Sequence, residues 1–147
     1  MPISISSVRC VSLIIISLLC VSFGYANQAQ DEIRAVQKFS KFDQQCAKFN
    51  RAACQTLLNN LGTLCKKNNS FACFRIGEIA TINSEVAAKQ ALKADAVKWL
   101  DVAVGSTKKS CQLKLRQACT QMQKFKTDFQ KACKKGDQFF CKASKTL

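Results

Sequence analysis

Eight of the ten cysteines are the residues of this chain best placed to do chemistry. They form four pairs that each enclose seven residues: Cys46–Cys54, Cys65–Cys73, Cys111–Cys119 and Cys133–Cys141. Cysteines can form disulfides or bind a metal, but thiolate metal sites favour closer Cys-x-x-Cys pairs. We therefore interpret the pairs as disulfide-forming, and we predict no metal site and no cofactor.

The four nine-residue units share more than their cysteines. Their sequences are CAKFNRAAC, CKKNNSFAC, CQLKLRQAC and CKKGDQFFC. The first and third units carry an arginine three residues before the closing cysteine, and the second and fourth carry a phenylalanine two residues before it. This alternation indicates an internal duplication with two similar halves, about 31–82 and 85–147.

The first 26 residues have the pattern of an export signal. Arg9 is followed by the apolar stretch 10–23 and by Gly24-Tyr25-Ala26, which offers small residues for cleavage. The apolar stretch is shorter than an ordinary membrane span. We therefore predict a signal peptide over 1–26 and a single secreted or periplasmic domain over 27–147.

Two other interpretations of this segment stay open: acylation at Cys20, as in lipoproteins, and a retained apolar anchor. Removal of residues 1–26 leaves 22 basic and 9 acidic side chains, a formal net charge of +13. An even number of cysteines in a short exported chain favours disulfides. Each bridge typically contributes ~2–4 kcal/mol to stability, which matters for a domain with a small core.

Between the cysteine units the sequence favours helices, because alanine, leucine, lysine and glutamine fill the segments and the one proline lies at position 2. The spacing of apolar residues predicts helices over 30–48, 51–66, 71–81, 85–104 and 115–132, and a short final helix. Asn83-Ser84-Glu85 and Gly105-Ser106 are expected to be helix breaks, and Leu92 is expected to be buried. The predicted fold is all-α: antiparallel helical hairpins stapled by disulfides, either solenoid-like or a compact bundle.

Two disulfide connectivities are compatible with these helices. If each unit closes on itself, a bridge staples two successive helices at their turn, and the turn residues Asn68-Asn69-Ser70 and Gly136-Asp137 favour this pairing. In the rival arrangement Cys46 pairs with Cys73 and Cys54 with Cys65, as in hairpins whose helices carry two cysteines each. The unit CQLKLRQAC has no turn residue and fits the rival better. Local pairing is the favoured prediction.

The segments LCKKNNSFACFRIG, and DAVKWLDVAV upstream of CQLKLRQACTQM, resemble the disulfide-rich branch of the Sel-one-like repeat family, the Helicobacter cysteine-rich proteins. Gly77, which follows Cys73, matches a packing glycine of that family. The resemblance implies a tetratricopeptide-like solenoid and a protein-interaction or cell-envelope role. The units start 19, 46 and 22 residues apart, unlike a regular repeat, so a compact bundle is the alternative.

Positive charge is concentrated toward the C-terminus, where residues 107–147 carry 11 basic and 2 acidic side chains. The candidate basic patch consists of Lys108, Lys109, Lys114, Arg116, Lys124, Lys131, Lys134 and Lys135. Such a field attracts anionic membranes, glycans or acidic proteins. A solvated face that serves only solubility is the alternative. Nucleic acid is disfavoured because no aromatic-rich basic motif accompanies the lysines.

Catalytic groups are few. The chain has no histidine, which excludes histidine-dependent triads and imidazole metal ligands. Ser106 and Lys109 have a Ser-x-x-Lys spacing, but the partner motifs of β-lactamases are missing. The glutamates are Glu32, Glu78 and Glu85, of which Glu78 would gain proton affinity if its apolar neighbours buried it. We name no catalytic residue.

These observations predict a secreted or periplasmic non-enzymatic interaction protein, a disulfide-stapled helical scaffold that binds a protein or a cell-envelope component. One alternative is a cationic protein that binds anionic membrane or glycan surfaces. The other is a cell-wall hydrolase, implied in part by the resemblance, with weak β-lactamase-like or muramidase-like activity.

We expect the exported protein to begin at Asn27 with its eight remaining cysteines oxidised. Expression with the native N-terminus, followed by intact-mass spectrometry of the exported protein with and without reduction, checks both points. A full-length mass, a lipid adduct on Cys20 or free thiols would contradict this expectation.

Overall fold

The computed structural model describes residues 27–48, 50–137, 140, 141 and 144, so the predicted signal peptide and Cys20 lie outside the described residues. In this part of the chain the only regular secondary structure is helical, which confirms the all-α prediction. The helices are α1 (27–37), α2 (Ser40–Ala47), α3 (Arg51–Lys66), α4 (Ser70–Lys89), α5 (Lys93–Gln112) and α6 (Arg116–Lys134). Among the described helices, none is long and apolar enough to cross a membrane.

Each disulfide closes its own cysteine unit, so the local pairing is the one in the structure and the rival pairing is wrong. The bridged Cα atoms lie 4.5 Å apart in the first unit, 4.7 Å in the second, and 4.6 Å in the third and fourth. In the first three units the bridge joins the last turn of one helix to the start of the next, and in the fourth it joins the last turn of α6 to Cys141. The bridges therefore staple successive helices at their bends.

One turn geometry recurs in these units. The third residue after the first cysteine has a left-handed backbone, with φ of 63° at Asn68, 69° at Lys114 and 94° at Gly136. In the second unit the Asn68 N–H donates to the Cys65 carbonyl at 3.0 Å, and the next N–H donates to the Leu64 carbonyl at 3.1 Å. This pair of bonds is a Schellman motif, which ends a helix. A single left-handed residue thus reverses the chain.

The residue after the left-handed position begins the next helix. In the first and second units the fifth residue, Asn50 and Asn69, accepts a hydrogen bond from the N–H group of Ala53 and Ala72, at 3.0 Å and 2.8 Å. These side chains satisfy backbone donors that a helix start leaves unpaired. The third unit has Leu115 in this place, without a side-chain cap. Its turn therefore depends on the backbone bonds and the bridge, which is why no turn residue is visible in its sequence.

Between α4 and α5 the chain makes the same turn without a disulfide. Ala91 has φ of 61°, its N–H donates to the Ala88 carbonyl at 3.1 Å, and the Leu92 N–H donates to the Ala87 carbonyl at 2.9 Å. Ala88 and Ala96, eight residues apart, take the places of the two cysteines. The interval of 46 residues between the second and third units therefore splits into two steps of 23. The turns recur at nearly regular intervals along the whole described chain.

Two predicted helix breaks are wrong. Helix α4 continues through Asn83-Ser84-Glu85, so the expected boundary between the two halves lies inside a helix. The Ser84 hydroxyl does not cap a new helix; it donates to the Ala96 carbonyl on α5 at 2.8 Å. Helix α5 continues through Gly105-Ser106 because Gly105 is exposed, and a single exposed glycine lowers helix stability by only about 1 kcal/mol.

Leu92 is 48% exposed rather than buried. It lies in the turn before α5, whereas the prediction placed it inside a helix. The residues that follow on the same predicted stripe do pack inward: Ala103 is fully buried, and Trp99 and Leu100 contact its cluster. The error therefore comes from the displaced helix start and not from the periodicity.

Helices α4 and α5 are held together by close packing, and their contact is the most extensive between any two of the labelled helices α2 to α6. A Cβ atom added to Gly77 would collide with the Thr107 hydroxyl and lie 3.3 Å from the Ala103 carbonyl oxygen. At the start of α4 the buried Ser110 hydroxyl donates to the Ser70 carbonyl at 2.8 Å. Small side chains allow the two backbones to approach closely.

The apolar side chains form two clusters that both include α4. One centres on Leu57, Leu61, Ala72 and Ile79, and the other on Ala80, Ala103, Phe125 and Phe129. The principal helix contacts join neighbours in sequence. Among α2 to α6 this order of packing is compatible with a solenoid, in which each helix contacts mainly the ones before and after it, and the contact of α1 with α4 is equally compatible with a compact bundle.

We expect the double substitution Ala88→Cys with Ala96→Cys to form a fifth disulfide, because the backbone there repeats that of the bridged turns at Asn68, Lys114 and Gly136. The bridge should raise the free energy of unfolding, by about 2–4 kcal/mol if it behaves like an average native one. Urea unfolding measures the gain, and non-reducing digestion maps the bridge. The matched control is Ala88→Ser with Ala96→Ser, which should give no gain. Two free thiols in a fully folded protein would contradict the equivalence of the turns.

Candidate functional site

Glu32 joins α1 to the beginning of α4. Its carboxylate accepts hydrogen bonds from the backbone N–H and the hydroxyl of Ser70, at 2.7 Å and 2.5 Å. The Asn69 side-chain amide donates to the Glu32 backbone carbonyl at 3.1 Å. A carboxylate is stabilising at a helix N-terminus, where N–H groups are unpaired and the helix dipole is positive. Glu32 therefore fixes α1 in place, and its acidic group is already engaged.

Beside this contact is an open cleft of about 560 Å³, lined by α1 and by the turn between α3 and α4. Polar groups dominate its residues: Gln28, Asp31, Glu32, Lys67, Asn68 and Asn69, with Leu64 as the apolar member. Within the described chain, no group of three or more histidine, cysteine, aspartate or glutamate side chains is arranged to hold a metal ion.

Arg75 on α4 is held between two carboxylates. One guanidinium nitrogen lies 2.6 Å from a carboxylate oxygen of Asp43 on α2, and the other lies 2.9 Å from Glu78 on α4. Partial burial opposes the charge of Arg75, but the hydrogen bonds and charges of Asp43 and Glu78 outweigh it and raise the pKa of the guanidinium above its usual value. The cluster of Asp43, Arg75 and Glu78 therefore has a formal net charge of −1.

Glu78 does not have the buried apolar setting that would suit an acid catalyst. Its side chain is 42% exposed and is paired with Arg75. Glu32 contacts α4 at Ser70, eight residues before Glu78, which is about 12 Å along the helix. The two carboxyl groups of a glycosidase lie roughly 5–9.5 Å apart. The separation of Glu32 and Glu78 therefore gives no support to a muramidase-like mechanism that uses this pair.

An apolar groove of about 240 Å³ runs beside Arg75, between α1, α4 and the first turn of α6. Its apolar lining comes from Ile33 and Val36 on α1 and from Phe71 and Phe74 on α4. Arg75, Glu78, Gln37 and Gln117 supply the polar lining. An apolar pocket with a few convergent polar groups is typical of a binding site.

The groove was not predicted from the sequence, although the sequence does show that four of its residues share one face of a helix. Phe71, Phe74, Arg75 and Glu78 follow a spacing of three, one and three residues, which places them on one face of a helix. That face lies about 110° around the axis of α4 from Gly77, which packs on α5, so a search for core stripes passes over it. The sequence also does not show which helix lies across from it.

The structure places the predicted basic patch on α5, on α6 and on the turns at either end of α6. The Lys109 ammonium donates to the Cys65 carbonyl at 2.8 Å, so it holds α5 against the C-terminal end of α3. A cation is stabilising there because helix carbonyls point outward. Lys114 takes the left-handed position of a turn. Exposed members remain along α6 and just after it: Arg116, Lys124, Lys131, Lys134 and Lys135.

No family model, curated protein or solved structure matches this chain. The candidate site is therefore defined by its geometry: a groove with an apolar floor and a charged edge, next to a helix that carries exposed lysines.

We expect Glu32→Gln to lower the free energy of unfolding by about 1–2 kcal/mol, because the substitution removes a carboxylate that caps α4. Urea unfolding measures the loss, and hydrogen exchange should show faster exchange over 27–37. The exposed Glu85→Gln is the matched control and should have little effect. Equal stability of the two variants would mean that α1 does not depend on this contact.

Proposed function

We propose that this protein is an exported, non-enzymatic scaffold that binds an extended segment of a partner protein in the groove between α1, α4 and α6. The observation that carries the proposal is the apolar floor beside the Asp43–Arg75–Glu78 charge cluster. A floor of this kind accepts an apolar side chain, and the charged edge orients the backbone next to it.

The carboxylates at the charged edge of the groove can accept hydrogen bonds from a partner. Arg75 uses both terminal nitrogens on its two carboxylates, so it has little capacity for an anionic partner. The side chains of Asp43 and Glu78 are 37% and 42% exposed and retain unused lone pairs. They can accept hydrogen bonds from backbone N–H groups or from a lysine or arginine of the partner. The preferred segment therefore has an apolar residue close to a basic one.

Disulfides keep the walls of the groove in position. The Cys65–Cys73 bridge closes the turn that leads into Phe71 and Phe74, and Cys111–Cys119 closes the turn that leads into Gln117. A site that is ordered before binding loses less conformational entropy when the partner arrives. The rigid frame therefore favours affinity without requiring a large contact area.

Two further features support an exported interaction protein. Stable disulfides are typical of oxidising compartments outside the cytosol, in agreement with the export signal that the first 26 residues predict. Solenoid-like packing of helices produces extended surfaces that commonly bind proteins. The resemblance to the Sel-one-like repeat family implies the same kind of role.

The test is a selection of random peptides displayed on phage against the oxidised protein. Enriched peptides should share an apolar residue near a lysine or arginine. In fluorescence anisotropy titrations, Phe74→Ala and Glu78→Lys should each weaken binding by about tenfold, which corresponds to roughly 1.4 kcal/mol for a central contact.

The matched controls lie farther along the same helix and outside the groove. Ile82→Ala removes an exposed apolar side chain, and Glu85→Lys reverses an exposed charge. Both should bind the selected peptides as the unsubstituted protein does. Failure to enrich any peptide, or equal losses in the groove and control variants, would rule out the groove as the binding site.

A further inference from the structure

Helix α6 presents a cationic face that the groove does not use. Lys124 and Lys131 lie about 20° apart around the axis of α6, at about 100° per residue, and Lys135 follows as the C-cap residue of the same helix. Along the axis they are separated by about 10 Å and 6 Å. All three are exposed, and Arg116, Lys126 and Lys134 add to the charge of the same helix and its end. We call Lys124, Lys131 and Lys135 the lysine row.

The lysine row carries a net positive charge. The ion pairs seen among the described residues involve Arg34, Arg75 and Lys98, and none involves the lysine row. Asp128, the one acidic residue of α6, lies four residues after Lys124 and three before Lys131, so the lysine row and Asp128 together carry a net charge of +2. Unpaired cations that are close together raise the local potential and attract an anionic partner.

The burial of the apolar side of α6 limits which class of anionic partner the helix can bind. The apolar face of α6 is already buried in the protein core. Its residues Ala118, Phe125 and Phe129 are 0%, 6% and 5% exposed. A helix that binds in a membrane interface must instead bury its apolar face among the lipids. The solvent side of α6 carries threonine and glutamine between its lysines, without an aromatic ring for base stacking. These features argue against an inserted membrane helix and against single-stranded nucleic acid.

The lysine row is also held on a rigid support. Cys119 near the start of α6 and Cys133 near its end are both in disulfides, to Cys111 and Cys141. The stapled helix therefore keeps the spacing of the cations fixed before any ligand arrives. A linear chain with repeated negative groups matches a straight row of cations without loss of helix order.

We propose that the lysine row binds a linear polyanionic glycan, a polysaccharide chain that carries sulfate, phosphate or carboxylate groups. The interaction is electrostatic and goes beyond the binding of a protein segment in the groove. It anchors the scaffold to an anionic polymer while the groove stays open for its own partner.

Heparin oligosaccharide is the probe for this proposal, and the variant is Lys124→Gln with Lys131→Gln and Lys135→Gln. At low salt the variant should bind heparin at least tenfold more weakly than the unsubstituted protein. The slope of log affinity against log salt should also fall by about two, at roughly 0.7 for each lost contact with a single chain. Isothermal titration at several salt concentrations measures both quantities.

The matched control is Lys66→Gln with Lys89→Gln and Lys93→Gln, which removes the same charge from exposed positions on α3, α4 and α5. This control should change heparin affinity less than twofold. Equal losses in the two triple variants would overturn the proposal, since binding would then depend only on net charge. Circular dichroism confirms that both variants are folded.

Two other probes test the partner class. Phosphatidylglycerol vesicles and poly(dT) should bind more weakly than heparin at the same salt concentration, and stronger binding to either would overturn the choice of a glycan. The peptides selected on the groove should bind the lysine-row variant normally. A lysine-row variant that loses peptide binding as well would show that the two surfaces are not independent.

Discussion

The structure depends on one recurring constraint. A helix ends in a Schellman motif, and a disulfide across the turn ties this helix to the segment that follows. A turn of this kind needs a residue with a positive φ, which costs a non-glycine residue roughly 1–2 kcal/mol. Asn68 and Lys114 adopt this conformation beside the bridges Cys65–Cys73 and Cys111–Cys119. The bridge removes alternative unfolded conformations, so the short turn is kept although some of its residues are poor turn formers.

The α4–α5 turn shows how the same geometry persists without sulfur. Ala88 and Ala96 cannot bridge, and the stabilisation comes instead from the long contact between the two helices around Gly77. Disulfides are therefore most needed where the helix contact is smaller. The chain combines two ways of holding a hairpin: a covalent bond at the bend and close backbone packing along the helices.

The disulfides and the close helix packing place both candidate surfaces, the groove and the lysine row, on rigid parts of the molecule. The groove lies beside Phe74 and the Asp43–Arg75–Glu78 cluster. The lysine row lies on a helix with a bridge near each end. Because the groove is locally anionic and the lysine row is cationic, the two surfaces are electrostatically complementary to ligands of opposite charge. One small domain can thus connect a polymer and a protein segment.

The sequence by itself determined the helical class and the bounds of α3, and it favoured local pairing of the cysteines over the rival pairing, because cysteine spacing and apolar periodicity are short-range patterns. It did not reveal the Ala88–Ala96 turn or the continuity of α4 through Asn83-Ser84-Glu85. Those features follow from contacts with α5, such as the bond from Ser84 to Ala96. The groove was likewise decided only by the tertiary structure, since residues of α1, α4 and α6 meet there through packing between segments that are distant in sequence.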